Sequence, residues 1–173
     1  MRIMNLLLNQ MKNTMGRDNY ENIDRAYMTM LLQEWQKRYK NITITDIKES
    51  EDPLSSWDMS ATINGEIKYI ELKGRTNKYP YSKVIDKGLY FRAHKNDGKN
   101  SLLVSVFPDD RIVAITTPEL IKDLKPLKTK VNHKYTVDED SEEDVQYNYI
   151  IPKELWYVYK IYPYQLISKP EKR

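Results

Sequence analysis

The stretch 56-SWDMSATINGEIKYIELKGR-75 decides the fold, because it holds two strands and the turn that sets their register. Asn64-Gly65 between alternating runs is the strongest short hairpin signal. With these two as the loop, Ile63 pairs with Glu66, Thr62 with Ile67, Ser60 with Tyr69, and Asp58 with Glu71. Alternate side chains of a strand share a face. Asp58, Ser60 and Thr62 therefore lie with Ile67, Tyr69, Glu71 and Lys73. The two carboxylates face each other with Cβ atoms about 5 Å apart, and Lys73 is next along. Facing like charges repel; they persist where they are exposed, where one is protonated, or where a cation lies between them. The opposite face offers Met59, Ala61, Ile70 and Leu72 to a core.

Working outward, residues 19–39 (Asn19 to Tyr39) read as a helix with Tyr27, Met28, Leu31 and Trp35 on one stripe. Asp24 sits inside that stripe and Glu21 lies on the same side; an acid near a helix start also complements the dipole. Next, 42-ITITDI-47 reads as a strand. After Gly74, which leaves room for a phosphate to approach the backbone, comes a basic loop, 75-RTNKYP-80. Ser82 to His94 reads as a helix weakened by Gly88. Two apolar strands follow, 101-SLLVSVF-107 and 111-RIVAITT-117, then a short helix from Leu120 to Leu124. Tyr-rich strands are expected around the acidic run 138-DEDSEED-144, and 152-PKELWYVYKIYPYQLI-167 closes the chain.

Composition bounds the chemistry. A length of 173 residues suggests one domain, with a core at about 19–117 and a C-terminal addition at about 118–173. No apolar run is long enough to span a membrane. The apolar stretch Met4 to Leu8 is too short for a secretory signal. The absence of cysteine excludes disulfides and thiolate metal sites and fits a reducing, cytoplasmic setting. Two histidines, His94 and His133, poorly supply a zinc site or a histidine triad; a metal here would take oxygen ligands, which favours magnesium, manganese or calcium. The acidic run holds six of the 25 acidic residues, which leaves 28 basic against 19 acidic elsewhere, a balance of +9. A basic body suits an anionic partner. Most of the 14 tyrosines are expected to pack, and a minority to offer stacking faces.

Asp58 followed by 71-ELK-73 across the hairpin resembles the PD-(D/E)XK nuclease superfamily. The order of elements from 19 to 107 is similar to that family's αβββαβ core. The resemblance implies an α/β (α+β) fold: a central mixed sheet, restriction-endonuclease-like, plus an extra C-terminal β-hairpin. It implies that Asp58, Glu71 and the Leu72 backbone carbonyl hold Mg2+, with Mn2+ as substitute. It also implies that Lys73 orients or activates the attacking water and that an acid of the first helix, Glu21 or Asp24, joins them. Trp57 departs from the pattern by standing where proline often precedes the aspartate. Arg75, Lys78, Ser82, Lys83 and Lys87 are expected to contact nucleic acid, DNA favoured over RNA. The expected activity is Mg-dependent endonucleolytic hydrolysis of DNA, and such small nucleases commonly act as homodimers. The competing expectations are a catalytically inactive nucleic-acid-binding protein on the same fold and a purely structural protein. His94 is expected to cap a helix end, and 157-YVYKIYPY-164 to form a wall of the core rather than a base-stacking surface.

Overall fold

The Asn64-Gly65 hairpin forms in the register that counting gives: Met59 pairs with Ile70, Ser60 with Tyr69, Thr62 with Ile67 and Ile63 with Glu66. Both turn residues have positive φ, 51° at Asn64 and 82° at Gly65, as the tightest hairpins require. The computed structural model describes residues 17–52, 54–75, 79–130 and 145–171. The expectations for residues 1–13, Lys78, His133 and the run 138–144 lie outside the described residues.

Helix α1 (Arg17–Arg38) is followed by β1 (Ile44–Glu49), β2 (Met59–Ile63), β3 (Glu66–Gly74), the short helix α2 (Tyr81–Val84), β4 (Leu89–Arg92) and β5 (Leu102–Phe107). Then come β6 (Ile112–Thr116), β7 (Leu127–Lys130), β8 (Val145–Ile151), β9 (Tyr157–Lys160) and β10 (Gln165–Ser168). The fold is mixed α/β. A seven-stranded sheet runs β1-β2-β3-β5-β6-β9-β10 and a three-stranded sheet runs β4-β8-β7. Strands β1, β2 and β3 form an antiparallel meander. β5 pairs parallel to β3, with Glu71 beside Leu103 and Lys73 beside Ser105.

The large sheet is covered on both faces. On one, α1 buries Ile23, Tyr27, Met28 and Leu31 against Met59, Ala61, Ile70, Val104 and Val106. On the other, Leu103, Phe107, Ala114 and Val158 pack with Leu89, Phe91, Ile151 and Trp156. β5 is thus buried on both sides, which explains its nearly continuous apolar run. The Tyr27 hydroxyl donates to the Pro108 carbonyl at 3.1 Å, tying α1 to the β5–β6 turn. Tyr27→Phe is expected to cost about 1 kcal/mol, the usual worth of one such bond, read as a lowered Tm.

Three expectations are corrected. The helix from Ser82 to His94 is only α2, a 3-10 turn Ile85–Lys87, and then the strand β4. The cause is Gly88, whose φ is 84° and ψ is 155°. A Cβ there would also lie 2.8 Å from Ile150 Cγ2. Leu89 and Phe91 consequently alternate with Tyr90 and Arg92, buried against exposed. Leu120 to Leu124 is a run of hydrogen-bonded turns (Leu120 N–H to Thr117 O, Lys122 N–H to Glu119 O, Leu124 N–H to Ile121 O) and no helix. Of the strands expected around the acidic run, β8 forms and pairs antiparallel with β7, but it is not a separate addition, because it also pairs with β4 in the small sheet; further on, β9 pairs with β6 and extends the main sheet. Its Tyr159 joins the α1 core, as a wall of the core should.

Candidate active site and basic cleft

Asp58 stands one residue before β2, where the counted register ends: its N–H donates to the carbonyl of Ile70, the partner of Met59, at 2.9 Å. Its carboxylate is fixed by the neighbouring strand: Leu72 N–H donates to Asp58 Oδ2 at 2.8 Å. Glu71 lies on the strand beside it and is only 7% exposed. One of its oxygens, Oε1, is 3.0 Å from Lys95 Nζ. The other, Oε2, is buried without a hydrogen-bond partner. Burial first, then the Asp58 charge, pushes the Glu71 pKa up to about 7 against the opposing pull of Lys95. The sequence therefore brings together two facing carboxylates, and folding adds a cation that counting along the hairpin could not reach.

Lys73 follows on the same face. It is exposed overall, yet the protein around it removes enough water from its ammonium to lower its pKa. Arg75 and Arg92 push it down further, while Glu71 and Asp24 push it up. Lys73 thus sits where an acidic and a basic neighbourhood meet.

Asp24 reaches this place from the opposite side of the sheet. It is 8% exposed on the core face of α1. A Cβ on Gly74 would lie 2.0 Å from Asp24 Oδ2. The space at Gly74 is therefore taken by the Asp24 carboxylate, not left open for a phosphate. Of the two first-helix acids, Asp24 is the one the described side chains place at the end of β3; the Glu21 side chain lies outside the described residues. Among the described residues no three carboxylates or imidazoles gather as a metal cluster. Asp58 and Glu71 are a pair, and their hard oxygens with the orphaned Glu71 Oε2 fit a magnesium or manganese ion.

Beyond Lys73 opens a cleft of about 600 Å³. Five positive side chains line it, those of Lys73, Arg75, Lys83, Lys87 and Arg92, and no carboxylate does. Arg75 is anchored: its Nη2 donates to the Tyr90 carbonyl and, at 3.2 Å, to Ser105 Oγ. Burial lowers its pKa to about 10. Ser82 is exposed on α2 and is absent from the lining.

Comparison of the chain with family models, with curated proteins and with solved structures finds no match. No helix among the described residues is long and apolar enough to cross a membrane.

Four groups that matter here escaped the sequence reading. Lys95 and Arg92 were placed around a helix that does not form. Tyr79 and Tyr90, which also line the cleft, do not stand out in the sequence from the other tyrosines. The available signal was the alternation 89-LYFR-92 directly after Gly88, which has a period of two. His94, expected at a helix end, lies exposed in the 3-10 turn Ala93–Lys95. Burial first, then the Lys95 and Arg92 charges, lowers its pKa.

Proposed function

We propose that this chain is a divalent-metal-dependent nuclease that hydrolyses phosphodiester bonds of DNA endonucleolytically, on a fold of the restriction-endonuclease-like type. The observation that carries the reading is the neighbouring pair Asp58 and Glu71 at the end of the β2–β3 ladder, close enough for the Asp58 charge to raise the Glu71 pKa, with Lys73 beside it opening onto a cleft that carries five cations and no carboxylate. The α1-β1-β2-β3 order with β5 parallel to β3 supports the fold assignment.

In this reading Asp58, Glu71 and the Leu72 carbonyl would hold Mg2+ or Mn2+. When bound, the ion supplies charge neutralisation at the phosphate and acidifies water. Leu72 N–H holds Asp58 Oδ2 in place, so one oxygen donor is oriented before substrate arrives. Lys73 would orient the attacking water or, in its neutral form, take its proton at Nζ as the water oxygen bonds to phosphorus and the electron pair of the breaking bond goes to the leaving oxygen. Arg75 and Arg92 offset the charge that gathers on the phosphate oxygens. Asp24, at the end of β3, acts on Lys73 by raising its pKa.

The test is incubation of purified protein with DNA duplexes, junctions and single strands, with Mg2+ or with chelator. Cleavage that requires Mg2+ is expected. Lys73→Ala should slow it roughly 10²–10³-fold, the usual cost of losing one transition-state stabiliser, with binding retained. Cleavage indifferent to Mg2+ and to Lys73 would sink the reading. A second reading, nucleic-acid binding without catalysis, draws on the Lys95–Glu71 ion pair, which already supplies the pair with one positive charge. Binding with no cleavage in Mg2+ or Mn2+ selects it.

A further inference from the structure

The basic cleft has a composition that the hydrolysis of a phosphodiester does not by itself require. Alongside its cations stand Tyr79 and Tyr90, which are 59% and 49% exposed. Each leaves a large ring in water next to positive charge. From these features we infer that the cleft binds an unpaired nucleic-acid strand, its phosphates on Lys83, Lys87 and Arg92 and its bases on the two tyrosine rings. The inference rests on the nuclease reading for the polymer it names, and it adds the substrate class.

Three observations carry it. The first is shape. A cleft of about 600 Å³ has the size of a site for a small organic molecule, and so takes a nucleotide or two. Bases paired and stacked inside a duplex offer no free face to the rings, whereas an unpaired base does. The second is the pairing of groups. Cations that track a backbone, interleaved with exposed aromatic rings, are the recurring arrangement for single strands, because every base has a face to stack. The third is rigidity. Tyr90 is not on a loop: it is paired with Ile150 in the small sheet, and the Arg75 guanidinium holds its carbonyl. A ring carried on a fixed backbone has only its own side-chain freedom to lose when a base stacks on it. Gln146, also in the lining, places an amide that can donate to or accept from a base edge.

The cleft meets the carboxylate pair at Lys73. Glu71, Lys73 and Arg75 follow one another on one strand face, spaced about 6.6 Å per step. A strand lying on the tyrosines would thus run toward Asp58 and Glu71, and the bond to be cut would lie at its junction with whatever follows.

The test is binding by fluorescence anisotropy in chelator, so that no hydrolysis intervenes, using a labelled twelve-nucleotide oligo-dT and a labelled blunt twelve-base-pair duplex. The single strand is expected to bind at least tenfold more tightly, and log affinity to fall with log salt at a slope no steeper than about −3.5, the value for five strand phosphates neutralised. Tyr79→Ala and Tyr90→Ala should each weaken oligo-dT roughly 5- to 100-fold, the range for one lost base–aromatic stack, and leave duplex binding unchanged. Tyr90→Phe, which keeps the ring, should bind as wild type does. Both tyrosines are exposed, so circular dichroism should show intact folds. Equal or tighter duplex binding, or alanine variants that hold oligo-dT unchanged, would overturn the inference. The nuclease reading fails by a different result, the absence of Mg-dependent cleavage of any of these DNAs.

Discussion

Glu71→Gln is expected to abolish Mg-dependent cleavage and, at the same time, to stabilise the metal-free protein at alkaline pH. The loss of activity should be roughly 10⁴-fold or more, since both charge stabilisation and nucleophile activation go with the ligand. The gain in stability follows from linkage. In the unfolded chain Glu71 ionises near 4.5, whereas in the fold its pKa is about 7. Between those values the folded state binds more protons than the unfolded one, so stability falls as pH rises through that window and stays lost above it. The shift corresponds to at most about 3 kcal/mol. Glutamine ends the ionisation, keeps an oxygen for Lys95 and offers an N–H to Asp58, but loses the charge attraction to Lys95. A net gain of about 1–2 kcal/mol at pH 8.5 is the expected result, or a few degrees in Tm for a chain of this size. Melts in chelator at pH 5 and pH 8.5 check it through the difference between variant and wild type, which should open only at the higher pH. Added Mg2+ should raise the wild-type Tm at pH 8.5 and leave the variant unmoved. A variant that cleaves normally, or whose melting differs from wild type equally at both pH values, contradicts the expectation.

The second large effect is at Gly74. An alanine Cβ would sit 2.0 Å from Asp24 Oδ2 and 2.8 Å from its Cγ, which no pair of such atoms tolerates. Asp24 is a short side chain, buried on a helix packed against the sheet, so either its carboxylate swings away or α1 lifts. Overpacking of this kind costs about 1–3 kcal/mol. Gly74→Ala should lower the denaturation midpoint accordingly and slow cleavage by displacing the acid near Lys73. Asp24→Ala made in the Gly74→Ala background should recover most of the stability lost at Gly74, because the two positions are in direct contact and couple. Strict additivity of the two changes would show that the close approach does not exist.

What could be read from the sequence was local. Asn64-Gly65 fixes a two-residue loop, and every pair from Ile63–Glu66 back to Met59–Ile70 then follows by counting. The runs 101–107 and 111–117 lie within a residue of β5 and β6, because strands buried on both faces read as apolar runs. The stripe on α1 likewise showed itself at a period of 3.6. What could not be read depended on partners distant in the chain. β4 is a strand because β8, some sixty residues on, pairs with it, and Gly88 turns the chain toward it. Asp24 reaches the end of β3 only because Gly74 has no side chain there. Lys95 finds Glu71 only once β4 has carried the chain back over β3. The carboxylate pair was therefore legible and most of its cationic surroundings were not.

The parallel pairing of β3 with β5 has an evolutionary consequence. Parallel neighbours demand a long crossover, and here it runs from Arg75 to Ser101. It contains all the lining groups of the cleft except Lys73, Gln146 and Asn148. The hairpin that carries Asp58 and Glu71 is finished before this segment begins. Insertions or exchanges within the crossover would alter what the surface grips while the hairpin keeps its own register. The carboxylate pair and most of the cleft lining are thus written in consecutive stretches of one chain, joined through Lys95, which the crossover sends back to Glu71.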